Sequence, residues 1–488
     1  MKKKIALGLS VLMTACAISA IGFAEDKKVL TMLGDLNMDG EHSISDVVIM
    51  RSGIVETTPF NDTTKKIADI TKDETVDISD VVMLRAIIVG NLSFNKDDIT
   101  NFVEVKEMFS IANDGSFTLT ESMKKNSVVS EGNLTRLAKV IDKASKGEEV
   151  TIACIGGSIT QGSLATDNFG YAYIMNSWWQ EKFPDATFNF VNAGIGGTDS
   201  HLGVCRVAHQ VIDQEPDLVI VEFSVNDTVP NMNKLTYEAL LRTILESKTS
   251  PAVMTLFMTQ ENGTSLVDTH KPIGEYYDVP MISYKNAVLP VIENGDIVWK
   301  DIGADFIHPN DAGHSIAAAL LENFWEDVLT KYNNGELDSL NYEIPSEYKE
   351  ACSAKYMNMT YFDSASSEIS VTTLGDFTAY KTSGFPNSWK WTGTDENSTG
   401  AIELDINKQD INNICLMYRG GTTGATVNVY VNDQLVQILD SSKQAYPQAV
   451  DIYSSTEATD TVHVKIEPKY NGADTKKNTF IFLGFGVN

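Results

Sequence analysis

The segment Ile44-Ser45-Asp46-Val47-Val48-Ile49-Met50-Arg51 returns 34 residues later as Ile78-Ser79-Asp80-Val81-Val82-Met83-Leu84-Arg85, so one structural unit is used twice near the N-terminus. Ahead of the first copy lie Asp35, Asn37, Asp39, Glu41, Ser43 and Asp46, at positions 1, 3, 5, 7, 9 and 12 of a loop with Gly40 at position 6. Oxygen donors at those spacings converge on a hard cation, with the Glu41 backbone carbonyl among them, and the apolar residues that follow start a helix. That is the calcium-loop pattern. The second copy keeps Asp69, Asp73, Asp77 and Asp80, and has Thr75 at position 7, Thr71 at position 3 and Glu74 where glycine is expected. A side chain at so sharp a turn is strained, so the second site is expected to bind Ca2+ more weakly. Without a metal, the same residues read as acidic helix-capping turns.

Two loop-helix units with aspartate at position 12, and no helix before the first loop, resemble a dockerin across about Val29 to Asn95. The resemblance implies structural Ca2+ and a cohesin domain of a scaffold protein as partner, and therefore attachment to a cellulosome. It also implies that Ile44, Ser45, Arg51, Ile78, Ser79 and Arg85 face the cohesin.

From about Asn101 to Leu340 apolar runs of strand length (150–155, 187–191, 218–223, 253–258, 279–283) alternate with helical stretches (171–182, 202–213, 237–246, 312–329), the mark of a parallel α/β sheet. Ligands gather at the carboxyl ends of such strands. The first strand runs into Gly156-Gly157-Ser158, the second into Asn192-Ala193-Gly194-Ile195-Gly196-Gly197, and the third into Ser224-Val225-Asn226-Asp227. Downstream, Asp305 precedes His308 by three residues, a spacing that lets a carboxylate fix one imidazole tautomer and leave the other nitrogen for a serine. A glycine-serine turn alone is ordinary βα punctuation, and no lysine follows it to reach a phosphate.

Together and in this order the blocks resemble the SGNH (GDSL-type) hydrolases over most of residues 145–330. Carried over by position, Ser158 is the nucleophile and a backbone oxyanion donor, Gly197 a second backbone donor, Asn226 a side-chain donor, His308 the base and Asp305 its orienter. Gly157 stands where the family's aspartate precedes the serine, and Ser224 where it has a glycine before Asn226. His201, His209 and His314 read as capping, solvated or structural residues, Cys154 as a small core residue, and no catalytic metal is expected.

Beyond about Asn341, short β-rich runs separated by turn residues (401–404, 414–418, 426–431, 462–466, 479–482) suggest a β-sandwich. Trp389 and Trp391 share one face of a strand, suited to core or to stacking on a sugar, with core the simpler reading. At the other end, Lys2, Lys3 and Lys4 precede an apolar stretch ending in Gly22-Phe23-Ala24, a secretory leader cleaved near Ala24. Cys16 offers a weaker alternative as a lipid-attachment site. No other segment is long enough to span a bilayer, and the remaining cysteines lack metal-type spacing or a disulfide framework.

The sequence thus predicts a multidomain protein: a signal peptide (1–24), a small α-helical calcium-binding dockerin (29–95), a three-layer α/β SGNH hydrolase domain with a parallel sheet (101–340) and a C-terminal β-sandwich accessory domain (341–488), possible seat of carbohydrate binding. Its net charge of −28 and lack of a basic stripe exclude a phosphate-tracking nucleic-acid binder. The expected function is that of a secreted esterase removing acyl groups, most simply acetyl, from an acylated polysaccharide such as xylan or mannan. Lipase, thioesterase and peptidoglycan O-acetyl esterase chemistry are open within the family, and a non-catalytic, scaffold-attached carbohydrate-binding protein is the competing class.

Overall fold

The structure, a computed structural model, describes residues 28–37, 41–55, 60, 62–93, 102–106, 109–112, 115–337, 347–395, 398, 400–421, 423–443, 445–470 and 478–488. The expected leader therefore lies outside the described residues, as do Asp39 and Gly40 of the first loop. Contacts divide the chain into two compact units, 1–108 and 109–488.

In the N-terminal unit, β1 (Lys28–Met32) pairs antiparallel with β2 (Phe102–Lys106), and α1 (Ile44–Ile54), α2 (Asp62–Ala68) and α3 (Ile78–Ile88) lie between them in sequence. By this pairing Phe102–Lys106 belongs with the repeats, although the sequence reading places it at the start of the following domain. Both repeat helices begin in a capping box: Ser43 and Asp77 cap them, and Asp46 and Asp80 reach back from the third helical position to the cap N–H. Val47, Met50, Ile67, Val81 and Leu84 fill a small core.

The second unit opens with α4 (Glu121–Ser127), β3 (Val128–Ser130) and α5 (Thr135–Ser145), followed by β4 (Glu149–Gly156), α6 (Ser158–Gln161), α7 (Tyr171–Lys182), β5 (Thr187–Gly194) and α8 (Ser200–Gln210). Then come β6 (Leu218–Glu222), α9 (Pro230–Leu245), β7 (Ala252–Phe257), α10 (Val267–Tyr276), β8 (Met281–Ser283), α11 (Tyr284–Glu293), α12 (Trp299–Ile302) and α13 (Asp311–Asn333). The sheet order is β3-β8-β7-β6-β4-β5, parallel except for β3, an antiparallel edge strand without a sequence signal of its own. Alternate residues of each central strand face opposite layers. Ile152, Cys154, Leu218 and Ile220 pack under α5, α7, α11 and α13, while Ala153, Ile155, Val219 and Val221 pack under α8 and α9. Burial on both faces explains the continuous apolar runs, and it leaves the carboxyl ends of β4, β5 and β6 side by side.

Among the described residues nine strands, joined in one antiparallel sheet, form the C-terminal sandwich: β9 (Thr360–Phe362), β10 (Ile369–Thr373), β11 (Thr378–Thr382), β12 (Phe385–Gly393), β13 (Ile402–Arg419), β14 (Thr426–Val431), β15 (Gln434–Asp440), β16 (Gln448–Lys469) and β17 (Asn478–Val487). The runs 401–404 and 414–418, read as separate strands, are one long β13 whose register against β16 shifts between Asn407 and Ile411. Trp389 and Trp391 are buried on one face of β12, Trp389 stacked on Phe482, so both are core. Tyr356, Met357, Tyr361, Cys415, Met417 and Leu483 belong to the same apolar cluster as the α8–α9 layer, which joins the sandwich to the α/β sheet through a shared core.

Candidate active site

Ser158 opens α6 directly after β4, and His308 and Asp305 lie on the loop between α12 and α13. His308 Nε2 stands 2.8 Å from Ser158 Oγ, and its Nδ1 stands 2.8 Å from Asp305 Oδ2. Asp305 Oδ1 also accepts the backbone N–H groups of Ile307 and His308, each at 2.7 Å. Partial burial would raise the Asp305 pKa, but the His308 and Ile307 hydrogen bonds outweigh it and hold the group below its ordinary value. An ionised Asp305 fixes the proton on His308 Nδ1 and leaves Nε2 free to accept from the serine. Trp299 Nε1 donates to the Asp305 carbonyl at 2.8 Å and pins the loop that carries the pair.

Gly196 stands beside the serine, and Asn226 stands beside Gly157, the residue that precedes it. A Cβ placed on Gly196 would lie 3.8 Å from the Ser158 Cβ, and one on Gly157 would lie 2.3 Å from Asn226 Oδ1. The second contact accounts for glycine in place of the family's aspartate: Asn226 occupies the space that any side chain at 157 would need. Gly197 has φ +71, a left-handed conformation suited to glycine. The Tyr446 ring, from the segment between β15 and β16, packs where a Gly197 side chain would stand.

Buried polar groups lock these loops. The Arg206 guanidinium, fully enclosed, donates to Ala193 O at 2.6 Å and Gly156 O at 3.0 Å, tying together the ends of β4 and β5. Asp227 Oδ1 accepts the Ser200 N–H at 2.7 Å and its Oδ2 lies 2.8 Å from His270 Nε2, so the loop bearing Asn226 is fastened to the helix that follows Gly197. Ser224, the other departure from the family pattern, accepts the Met258 N–H at 2.8 Å and donates toward Glu222 Oε1 at 3.3 Å. It joins the ends of β6 and β7. Burial pushes the Glu222 carboxyl up to about 8.

The other histidines take the following places. His314 is buried, and its Nδ1 accepts the Tyr171 N–H at 3.2 Å; burial lowers its pKa to about 4. His209 is exposed and pairs with Asp213 at 3.4 Å. His201 is neither a cap nor solvated: it is buried against Asp451 and Cys415 of the sandwich. The sequence reading misses Arg206, His270, Tyr446 and this His201 contact.

The calcium-loop residues lie in the other unit. Asp46 Oδ1 accepts the N–H groups of Leu36 and Asn37 at 2.8 and 3.1 Å, and Asp35 is buried beside Thr31. In the second loop Asp69 accepts from Asp73 and Glu74, Asp80 from Thr71, and Asp73 from Thr75. Glu74 has φ +69, the left-handed turn that the pattern demands of position 6. An all-oxygen donor set drawn inward around such a turn fits Ca2+. On the outer side, Ile44, Val48, Ile78 and Val82 are exposed, with Ser45, Arg51, Ser79 and Arg85 among them.

The family model described as GDSL-like lipase/acylhydrolase matches residues 154–316, and that of the type I dockerin domain matches 33–88. The chain carries a GDSL-like hydrolase domain and a type I dockerin. The hydrolase domain is similar to an acetylxylan esterase of Geobacillus stearothermophilus, 28% identical over 36% of this chain and 93% of the relative. It is also similar to thioesterase 1/protease 1/lysophospholipase L1 of Escherichia coli (strain K12), 23% identical over 33% of this chain and 76% of the relative. Hydrolase domain and sandwich together resemble a solved two-domain esterase active on acetylated mannans. That match has a TM-score of 0.66 and 28% identity, and covers 75% of this chain and 98% of that one.

Proposed function

We propose that the protein is a secreted serine esterase that removes acetyl groups from a neutral plant cell-wall polysaccharide and is held by its dockerin on a cohesin-bearing scaffold, with Ca2+ in the dockerin loops. The observation that carries the esterase reading is the continuous relay from Asp305 through His308 to Ser158 Oγ, with steps of 2.8 Å. Ser158 Oγ attacks the acetyl carbonyl as His308 Nε2 takes its proton. The oxyanion is held by the N–H groups of Ser158 and Gly197 and the Asn226 amide, each worth on the order of 10² to 10³ in rate. His308 then protonates the departing sugar oxygen, and water, activated by the same imidazole, releases acetate from the acyl-enzyme.

Mannan ranks ahead of xylan as substrate, because the mannan-active relative is alike over both hydrolase and sandwich, whereas the xylan-active one is alike over the hydrolase domain alone. An intact relay weighs against a purely carbohydrate-binding role. Release of acetate from acetylated mannan, acetylated xylan and a long-chain lipid ester under identical conditions tests the reading. The expected order is mannan, then xylan, with the lipid ester last. Binding of the polymers without acetate release would favour the non-catalytic class.

A further inference from the structure

Where the sandwich meets the α/β sheet, His201, Cys415 and Asp451 bring three metal-ligating atoms together from three elements. Cys415 on β13 and Asp451 on β16 are directly opposed in the ladder, and His201 enters from the first turn of α8. His201 Nε2 lies 3.1 Å from Asp451 Oδ1 and 3.4 Å from Cys415 Sγ, and the thiol lies 3.3 Å from Asp451 Oδ1. Nitrogen, oxygen and sulfur donors held about 2.0 to 2.3 Å from a tetrahedral zinc ion stand about 3.3 to 3.6 Å from one another, a few tenths of an ångström wider than this triangle. We propose that His201, Cys415 and Asp451 form a structural site for a zinc-class divalent cation that clamps the sandwich to the hydrolase domain.

The surroundings suit that role. The second carboxylate oxygen of Asp451 is held by Lys355 Nζ at 2.5 Å and by the Tyr356 hydroxyl at 2.8 Å, which orients the first oxygen toward the cysteine and histidine. Such outer contacts are how ligating carboxylates are fixed. Cys205, one turn along α8 from His201, donates to the His201 carbonyl at 3.3 Å and so helps to fix the turn that presents the imidazole. Its sulfur fills the space where Gly486 lacks a side chain. His201 and Cys415 are buried while Asp451 is partly exposed, and cysteine with histidine selects zinc-class ions over the calcium suited to the dockerin loops. Binding displaces the Cys415 thiol proton and requires an unprotonated His201 Nε2, so affinity rises with pH.

The test uses the full chain, stripped with a zinc chelator and then resupplied with Ca2+. One equivalent of Co2+ should give a near-ultraviolet thiolate-to-cobalt charge-transfer band that added Zn2+ removes. The oxygen-only dockerin loops cannot produce that band. Cys415→Ser should abolish it and Asp451→Asn should weaken it, with turnover of an aryl acetate unchanged. Zn2+ should raise the melting temperature of the stripped wild type but not of Cys415→Ser. No band in the wild type, an equal band in Cys415→Ser, or a Cys205–Cys415 disulfide in the purified protein would each overturn the proposal. The wild-type spectrum decides even if a variant fails to fold.

Discussion

Asn226 lies against Gly157 so closely that a Cβ on the glycine would come within 2.3 Å of Asn226 Oδ1 and 3.2 Å of its Nδ2. The residue before the proposed nucleophile and the proposed side-chain oxyanion donor therefore compete for one space. Restoring the aspartate common in SGNH hydrolases should damage this enzyme: Gly157→Asp displaces Asn226 and should lower kcat by about 10² to 10³, the value of one oxyanion donor. Steady-state assay of the folded variant on an aryl acetate checks it; wild-type kcat would show that Asn226 is not a donor.

Asp305→Asn should lower kcat by on the order of 10³ to 10⁴ with little change in KM, because an amide cannot hold His308 in the tautomer that accepts the serine proton. The melting temperature should move little, since the carboxylate is nearly half exposed. A parallel loss of folding would mean that Asp305 acts mainly as a loop anchor for Ile307 and His308.

How much of this was legible beforehand depended on sequence distance. Asp305 and His308 are three residues apart, so spacing pointed to that pair, whereas Ser158, at an ordinary glycine-serine turn after an apolar run, was singled out by the resemblance of the blocks to the SGNH hydrolases. The fold class was legible from the apolar runs, because strands buried on both faces must be apolar throughout. Asp227 with His270, Gly197 with Tyr446, and His201 with Cys415 join residues from distant parts of the chain, where no periodicity links partners. The long β13 read as two strands because its middle, Asn407 to Asp410, is polar; Asp410 takes a positive φ, and the strand continues through the bulge.

Glu74 gives the dockerin its weaker calcium loop by this account. With φ +69 a non-glycine residue there costs about 1 kcal/mol, so Glu74→Gly should tighten the second site about fivefold and leave the first unchanged. Calorimetric Ca2+ titration of the full chain resolves the two sites; an unchanged second affinity would show that Thr71, not the turn, weakens it.

Burial raises the Glu222 pKa to about 8 from an ordinary 4.5, so the folded protein retains a proton that the unfolded chain has lost. The unfolded state then binds fewer protons between those values, and stability falls as pH rises from about 4.5 to about 8. Glu222→Gln keeps a neutral side chain at every pH and should flatten this alkaline limb, gaining on the order of a few kcal/mol at pH 8 and little at pH 4.5. Denaturant melts at the two pH values check it; equal slopes in both proteins would place an ionised Glu222 in the fold.

The central claim is that Ser158 performs nucleophilic ester cleavage on an acetylated polysaccharide, and acetate release from acetylated mannan by wild type and Ser158→Ala tests it most directly. Steady release by the wild type should be lost in Ser158→Ala, with the variant retaining the wild-type melting temperature. Release near the wild-type rate from Ser158→Ala, or none from the wild type on mannan and xylan alike, would contradict it.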